Sequence, residues 1–211
     1  MILSDAEIQW WLVEELMGIS PRPEEDQWQP SSVDLRLGNK FTKYRAADKR
    51  VVSTREGVPP DQINTIEADS LILYPGDFVL AHTVERVRIP PSLVAVVDGR
   101  SSLGRLGVMV HVTAGYIDPG FEGQITLELF NVGSLGVELF AGDRVCQIRF
   151  HKMSSPAKKP YAGKYQGDTG AVASRIERDH RPCSCGNPAA EVTKNGEPIC
   201  LWCYDNGEDR G

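Results

Sequence analysis

The sequence predicts a mainly β protein of the sandwich or jelly-roll type. Short apolar runs recur at close spacing in the middle of the chain, and turn signals such as Pro75-Gly76 and Asp118-Pro119-Gly120 separate them. Runs of this length bounded by turns are typical of strands, and no long helical pattern lies between them. Regularly spaced short strands favour a sandwich or jelly roll. The predicted strands are residues 71–74, 78–83, 94–98, 107–112, 124–130, 136–140 and 144–150.

A short helix and one further strand are predicted before this region. Ser4 and Glu7 have the spacing of a capping box, and apolar residues follow at helical spacing, so we expect a helix over residues 5–16. Residues 32–37 alternate polar and apolar side chains and predict a half-buried strand. Residues 40–69 are polar and weakly patterned, which fits either a loop or short strands.

Size and charge narrow the class of protein. The 211 residues suffice for one well-buried domain with a small appendage, and 41% hydrophobic and 25% charged residues are typical of globular proteins. No window approaches the roughly 18 apolar residues of a membrane helix. The acidic N-terminus lacks the basic start of a signal peptide, so we expect a cytoplasmic protein without membrane contact. The net charge of −6 argues against a core that coats nucleic acid, but allows a phosphorylated ligand.

Most of the cysteines form a cluster near the end of the sequence. The cluster consists of Cys183, Cys185, Cys200 and Cys203, with 14 residues between its two pairs. Two chelating pairs suit tetrahedral zinc, so residues 179–211 predict a small zinc-ribbon-like module, and the lone Cys146 predicts a core thiol. Four thiolates close the coordination shell, and the His-x-Glu of zinc deaminases is absent, so this zinc is expected to be structural and not catalytic. Free thiols or disulfides are the alternative.

Residues 99–105 bring two cations, two hydroxyls and two glycines together directly after a predicted strand. Glycine lets a backbone approach a ligand closely, while Arg and Ser donate hydrogen bonds to phosphate oxygens. The spacing is not that of a P-loop. The segment therefore predicts either a phosphate-binding loop or a polar hairpin with exposed arginines.

Glu128 lies among apolar neighbours in the predicted strand 124–130. A carboxylate withdrawn from water suits general acid–base chemistry near neutral pH. Taken alone, however, this glutamate fits a solvent-facing position or a structural ion pair with arginine better than a catalytic role. The Gly- and Pro-rich turn over residues 113–123 can likewise be structural, with Asp118 as its Asx residue.

Five segments in the same order resemble the superfamily of deoxyuridine triphosphatases and dCTP deaminases. They are PSSVDLRLG (30–38), DGRSSLGRLG (98–107), GYIDPGFEG (115–123), GDRVCQI (142–148) and KYQG (164–167). The opening Met1-Ile2-Leu3-Ser4-Asp5 with its helix is similar to the deaminase branch. The resemblance covers residues 1–178, and it implies a distorted, dUTPase-like jelly roll that assembles as a homotrimer with active sites at subunit interfaces.

The resemblance implies that the substrate is dCTP, bound together with Mg²⁺. The phosphates would bind to residues 100–105, the deoxyribose 3′-hydroxyl to Asp118, and the pyrimidine to backbone groups around Thr126 and Leu127. A tail over residues 154–178 would cover the nucleotide. The expected substrate-binding residues are Arg100, Ser101, Ser102, Leu103, Gly104, Arg105, Ala114, Asp118, Thr126, Leu127, Gln147, Tyr161, Lys164 and Asp168.

The resemblance also implies that Glu128 is the catalytic residue, and that no metal takes part in deamination. Glu128 would take a proton from the water that attacks C4 of cytosine, and then deliver protons toward N3 and the departing ammonia. Gly115-Tyr116 is similar to the bifunctional branch, which also releases pyrophosphate and gives dUMP. The alternatives are deamination to dUTP alone, a dUTP diphosphatase, or a non-catalytic nucleotide-binding trimer, and dUTP or dTTP could bind as product or inhibitor.

Overall fold

The described part of the chain is mainly β, as predicted. The structure, a computed structural model, describes residues 1–45, 51–180, 191–192 and 198–199. Its helices are α1 (Asp5–Val13), the single turn α2 (Ser101–Gly104) and the 3₁₀ turns Glu25–Gln27, Pro60–Gln62 and Ile176–His180. Its strands are β1 (Gly18–Ser20), β2 (Trp28–Gln29), β3 (Ser32–Arg36), β4 (Lys40–Tyr44), β5 (Ile63–Glu67), β6 (Ser70–Leu73), β7 (Phe78–Arg88), β8 (Leu93–Gly99), β9 (Val108–Met109), β10 (Tyr116–Ile117), β11 (Glu122–Asn131), β12 (Val137–Phe140), β13 (Arg144–Lys152), β14 (Glu191–Val192) and β15 (Pro198–Ile199). None of the helices in these ranges has the length and apolar character needed to cross a membrane.

The predicted capping box begins α1. The Ser4 hydroxyl accepts a hydrogen bond from the Glu7 N–H at 3.3 Å, and the Glu7 carboxylate accepts one from the Ser4 N–H at 3.2 Å. The helix ends at Val13, before the predicted end at residue 16. The chain turns at Glu15, whose φ of 54° is left-handed and cannot continue a right-handed helix.

Two antiparallel sheets supply most of the core, and the two-stranded antiparallel sheet of β6 and β12 adds to it. Of the two larger sheets, one has the strand order β10-β8-β13-β3-β2, and the other has the order β5-β4-β7-β11-β9, with β1 also paired to β7. Side chains from both sheets, among them Leu35, Val79 and Phe150, form one buried hydrophobic cluster. Burying each such side chain stabilises the fold by about 1.5–3 kcal/mol. Cys146 is a fully buried free thiol within this cluster, as predicted, and burial raises its pKa.

The chain divides into two compact units. The first unit consists of Met1–Lys43, Thr65–Tyr161 and Gly167–Val172, and it contains the hydrophobic cluster. The second unit consists of Tyr44–Asn64, Ala162–Gln166 and the described residues from Ala173 onward. In the second unit, β14 and β15 form a two-stranded antiparallel ladder. The domain boundary predicted at residue 179 stays a prediction, because most residues beyond it lie outside the described ranges.

Some strand boundaries differ from the sequence prediction. The strand predicted over residues 107–112 is reduced to β9, because the N–H groups of Val112 and Thr113 turn toward the side chain of Glu128. β7 continues past the predicted end at residue 83, because β1 and β11 both pair along its second half. Residues 40–69 contain short strands, β4 and β5, which was one of the two expected outcomes.

Candidate active site

The segment 99–105, called the phosphate loop below, forms a helical turn and not a hairpin. It follows β8, and Arg100 occupies the N-cap position of α2. The Arg100 carbonyl accepts hydrogen bonds from the N–H groups of Leu103 and Gly104 at 3.1 and 3.0 Å. Leu103 is half-buried and packs against the hydrophobic cluster, which fastens the turn to the fold.

Arg100 is fixed by contacts with two strands. Its Nε lies 3.1 Å from Oδ2 of Asp34 on β3, and its Nη1 donates to the Arg144 carbonyl on β13 at 3.0 Å. The Asp34 side chain is 3% exposed. This desolvation raises the pKa of Asp34, while the positive charges of Arg100 and Arg144 oppose the rise. Asp34 is not among the predicted site residues.

The other polar side chains of the phosphate loop point to solvent. Ser101, Ser102 and Arg105 are exposed. Within the described ranges, neither the two hydroxyls nor the Arg105 guanidinium has a hydrogen-bond or ion-pair partner. Gly104 has open space on its Cα, because an added Cβ would meet no atom within 4 Å. These donors are therefore available to an anionic ligand.

Gln147 connects β13 to the phosphate loop. It lies between Asp34 of β3 and Asp98 of β8 in the strand register. Its carbonyl oxygen accepts from the Ser32 hydroxyl at 2.9 Å, and its amide donates to the Gly99 carbonyl at 3.4 Å. The structure thus brings the predicted residue Gln147 together with the phosphate loop.

Glu128 lies on the partly exposed face of β11, as one of its two structural alternatives predicted, and among the described residues it is not paired with an arginine as the other predicted. It is half-buried on β11, and its Oε2 accepts hydrogen bonds from the backbone N–H groups of Val112 at 2.8 Å and Thr113 at 3.4 Å. Its partners are therefore backbone groups and not an arginine. Oε1 has no partner in the described part of the chain. Ala114, another predicted site residue, follows directly after these donors and is exposed.

Among the described residues, the edge of β11 beside Glu128 has a gap in its pairing, called the β11 edge gap below. On that edge the Gln124 N–H donates to the Asp168 carbonyl at 2.9 Å, and the Glu128 N–H donates to the Val110 carbonyl at 3.0 Å. Strand N–H groups alternate in direction, so the N–H of Thr126 points to the same edge between these two bonds. The side chain of Leu127 is 1% exposed in the core, so the backbone is what this residue can offer a ligand.

The turn before β11 carries Asp118, which is exposed. The chain after β13 lies against this turn, since the Tyr161 N–H donates to the Pro119 carbonyl at 2.7 Å and the Tyr161 ring lies 5.9 Å from that of Phe121. Gly120 has a φ of 94°, and a Cβ there would lie 2.7 Å from the Tyr161 nitrogen. The glycine therefore provides both the turn and the space for the tail.

Lys164 belongs to the second compact unit. Its Nζ lies 2.6 Å from Oδ1 of Asp179 and 5.5 Å from the centre of the Tyr165 ring.

Within the described ranges, no group of three or more His, Cys, Asp or Glu side chains could hold a metal ion. The four predicted zinc ligands, Cys183, Cys185, Cys200 and Cys203, lie outside those ranges.

The chain belongs to the dCTP deaminase-like family, whose family model it matches over residues 2–153. It is similar to a dUMP-forming dCTP deaminase of Dictyoglomus thermophilum, with 48% identity over 187 residues that cover 85% of this chain and 96% of that protein. A dCTP deaminase of Natronomonas pharaonis is 49% identical over 188 residues, covering 85% and 96% of the two chains. The predicted resemblance to this family is therefore confirmed.

A solved structure shares the fold. The 2′-deoxycytidine 5′-triphosphate deaminase from Agrobacterium tumefaciens aligns with a TM-score of 0.58 and 24% identity. The alignment covers 72% of this chain and 48% of that chain, so the chain spans about half the length of that structure. At this identity the likeness shows the fold alone, and it agrees with the predicted mainly β architecture.

Proposed function

We propose that the protein is a dCTP deaminase that forms dUMP. In this reaction dCTP and two water molecules give dUMP, ammonia and pyrophosphate. The observation that carries the proposal is the position of Glu128, one oxygen of which is held by backbone donors beside the β11 edge gap. The similarity to relatives named as dUMP-forming dCTP deaminases supports the same reaction.

Glu128 supplies the acid–base chemistry. Its carboxylate takes a proton from water and delivers it to N3 as the hydroxide attacks C4. It then takes the proton of the new C4 hydroxyl and delivers it to the amino group, which leaves as ammonia while the C4 carbonyl of the uracil forms. Because Val112 and Thr113 fix Oε2, the carboxylate keeps its orientation while Oε1 faces the reaction. The backbone of Thr126 in the β11 edge gap offers a donor and an acceptor to the pyrimidine edge, and the Ala114 carbonyl helps to hold the water.

The phosphate loop binds the triphosphate through the guanidiniums and hydroxyls of Arg100, Ser101, Ser102 and Arg105. Mg²⁺ prefers oxygen ligands and usually keeps several waters. The loop offers cations and hydroxyls, and the nearby Asp34 carboxylate is occupied by two arginines. These residues fit the phosphates, so Mg²⁺ would be held by phosphate oxygens and would neutralise their charge.

The remaining predicted residues surround the nucleotide. Asp118 binds the 3′-hydroxyl, and the segment 154–178 covers base and phosphates with Tyr161, Lys164 and Asp168. The hydrogen bond from Tyr161 to Pro119 supports this role for the tail, because it ties the tail to the turn that carries Asp118.

The active enzyme is a homotrimer with sites between subunits. The phosphate loop is bonded to β3 and β13, whereas Glu128 is bonded to residues 110–113. In the described ranges no hydrogen bond or ion pair joins the two groups. We infer that a site of the assembly combines the phosphate loop of one copy with Glu128 of another.

The cysteine cluster binds structural zinc in a module over residues 179–211. The ladder of β14 and β15 lies between the two cysteine pairs in the sequence, as in a zinc ribbon. Metal analysis of the purified protein is expected to find about one zinc per chain, lost in Cys200→Ser, with deamination retained. We infer that the enzyme is cytoplasmic.

Incubation with dCTP and Mg²⁺, followed by chromatography of the products, tests the proposal. We expect dUMP, ammonia and pyrophosphate. Accumulation of dUTP would restrict the enzyme to deamination, and turnover of dUTP without turnover of dCTP would make it a dUTP diphosphatase. Nucleotide binding without turnover of either substrate would contradict an enzymatic function.

A further inference from the structure

A carboxylate lies buried beneath the phosphate loop. Asp34 is on β3 between Val33 and Leu35, which are fully buried in the hydrophobic cluster. Alternation along the strand places Asp34 on the opposite face. Its side chain is nevertheless only 3% exposed, because polar side chains cover it. A buried charge is costly unless it is paired, so this position needs a partner.

The partners of Asp34 are two arginines that come from different parts of the chain. Oδ2 lies 3.1 Å from Nε of Arg100, the N-cap residue of α2, and 3.5 Å from Nη1 of Arg144 on β13. Arg100 also donates to the carbonyl of Arg144 at 3.0 Å. One carboxylate thus holds two guanidiniums that would otherwise repel each other.

Further contacts fix the group from the opposite side. Arg144 also pairs with Asp26, at 3.4 Å from Nε to Oδ2. Gln27 donates to the Asp34 carbonyl at 2.7 Å, and its side chain is bonded to the buried Glu85 at 3.0 Å. Gln27 therefore anchors the backbone of Asp34 to the core, while Asp26 holds Arg144 beside the Asp34 carboxylate. A rigid network of this kind fixes the side chains at its outer end.

We propose that Asp34 is a positioning residue of the triphosphate site, which holds the Arg100 guanidinium in place before the nucleotide binds and does not itself touch the substrate. The inference rests on the proposed function, in which the phosphate loop binds the triphosphate. An arginine that is already fixed loses less rotamer freedom when a phosphate arrives, so binding is tighter. Asp34 acts on the phosphate end of the nucleotide and leaves recognition of the base unchanged.

Asp98 provides a matched control. It flanks Gln147 from the other side, in register on β8, and pairs with Arg149 at 2.8 Å. It is an aspartate on the same sheet and is bound to an arginine, but that arginine is not in the phosphate loop. Replacing Asp98 by Asn therefore removes a similar charge without releasing Arg100.

The test is calorimetric titration of the full-length protein with inorganic tripolyphosphate and Mg²⁺, and separately with deoxycytidine. For Asp34→Asn we expect the Kd for tripolyphosphate to rise about tenfold, the size of one lost charge-assisted hydrogen bond. The Kd for deoxycytidine, and both Kd values of Asp98→Asn, are expected to stay unchanged. Circular dichroism and gel filtration verify that each variant is folded.

Three results would overturn the proposal. They are no binding of tripolyphosphate by the parent protein, an unchanged Kd for tripolyphosphate in folded Asp34→Asn, and an equal rise in the Kd for deoxycytidine in that variant. If Asp34→Asn does not fold, Asp34→Glu keeps the charge but shifts the carboxylate by one methylene. In this variant the Kd for tripolyphosphate is expected to rise about threefold, and an unchanged Kd would again overturn the proposal. Because the titration needs no turnover, a failure to convert dCTP counts against the proposed function alone.

Discussion

The phosphate loop and Glu128 are held in place in different ways. Arg100 depends on side-chain ion pairs with a residue of another strand, Asp34, whereas Glu128 depends on backbone N–H groups of residues 112 and 113. Ion pairs are lost when one distant side chain changes. Backbone donors are lost when the path of the chain changes. The two halves of the candidate site should therefore respond to different kinds of substitution.

The largest effect is expected at Glu128. Glu128→Gln keeps the shape and an acceptor for the Val112 N–H, but it removes the group that transfers protons, so deamination should fall by about 10²–10⁴-fold. The Kd for dCTP should change little. Ammonia release measures the first quantity and calorimetry the second. Glu138→Gln, at an exposed position of β12, is the matched control and should keep full activity. Undiminished ammonia release from Glu128→Gln would remove this residue from catalysis.

Mixing of subunits tests whether the two halves come from different copies. At a dCTP concentration well below KM, Glu128→Gln subunits are expected to be nearly inactive, and Arg105→Ala subunits to keep about a tenth of the parent activity or less. Unfolded and refolded together in equal amounts, they should regain about a quarter of the parent activity, since one site in four then combines two intact halves. The separately refolded variants are the control. No recovery in a mixture that has assembled normally would mean that each site is built from one copy.

The two arginines of the phosphate loop should differ in a third experiment. Arg105 is exposed and without a partner in the described ranges, so Arg105→Gln should raise the KM for dCTP about tenfold while leaving the free energy of unfolding unchanged. Arg100→Gln should also raise KM, but it leaves Asp34 undercompensated and should cost about 1–3 kcal/mol of stability. Urea denaturation at one protein concentration, combined with steady-state kinetics, separates the two effects. Equal stability of both variants would contradict the structural role given to Asp34.

The local features of both regions could be predicted from the sequence, but the contacts that join distant residues could not. The short apolar run over residues 124–130 located β11, and the composition of residues 99–105 predicted either a phosphate-binding loop or a polar hairpin. The role of Asp34 was not predicted, because a polar residue in an alternating strand indicates a solvent-facing position. Its burial depends on Arg100 and Arg144, which are distant in the sequence. Periodicity carries no information about such long-range pairs.

The hydrogen-bond partners of Glu128 could not be predicted from the sequence for a related reason. Hydrophobicity predicted a strand up to residue 112, since side-chain pattern does not report where backbone N–H groups go. In the structure those groups of Val112 and Thr113 turn to the Glu128 carboxylate instead of to a neighbouring strand. A local pattern was overridden by a tertiary hydrogen bond.

The smallest effects are expected at glycines in the two regions. They test directly whether the phosphate loop and Glu128 differ in how they are held in place. A Cβ on Gly115 would lie 2.7 Å from the Val97 carbonyl oxygen and 3.1 Å from the His111 ring, so Gly115→Ala forces the backbone to shift. We expect a loss of about 1–3 kcal/mol in the free energy of unfolding. In the phosphate loop, a Cβ on Gly104 meets no atom within 4 Å, so Gly104→Ala should change stability by less than about 0.5 kcal/mol.

The variants Gly115→Ala and Gly104→Ala should also differ in their kinetics. A shift at Gly115 moves the chain that supplies the donors of Glu128, so Gly115→Ala should lower kcat more than it raises KM. In the proposed site the triphosphate approaches the backbone at Gly104, so any effect of Gly104→Ala should fall on KM. Urea denaturation and steady-state kinetics with dCTP measure both. If Gly115→Ala were as stable and as active as the parent, the path of residues 112–115 would not be what holds Glu128, and the contrast between the two regions would be lost.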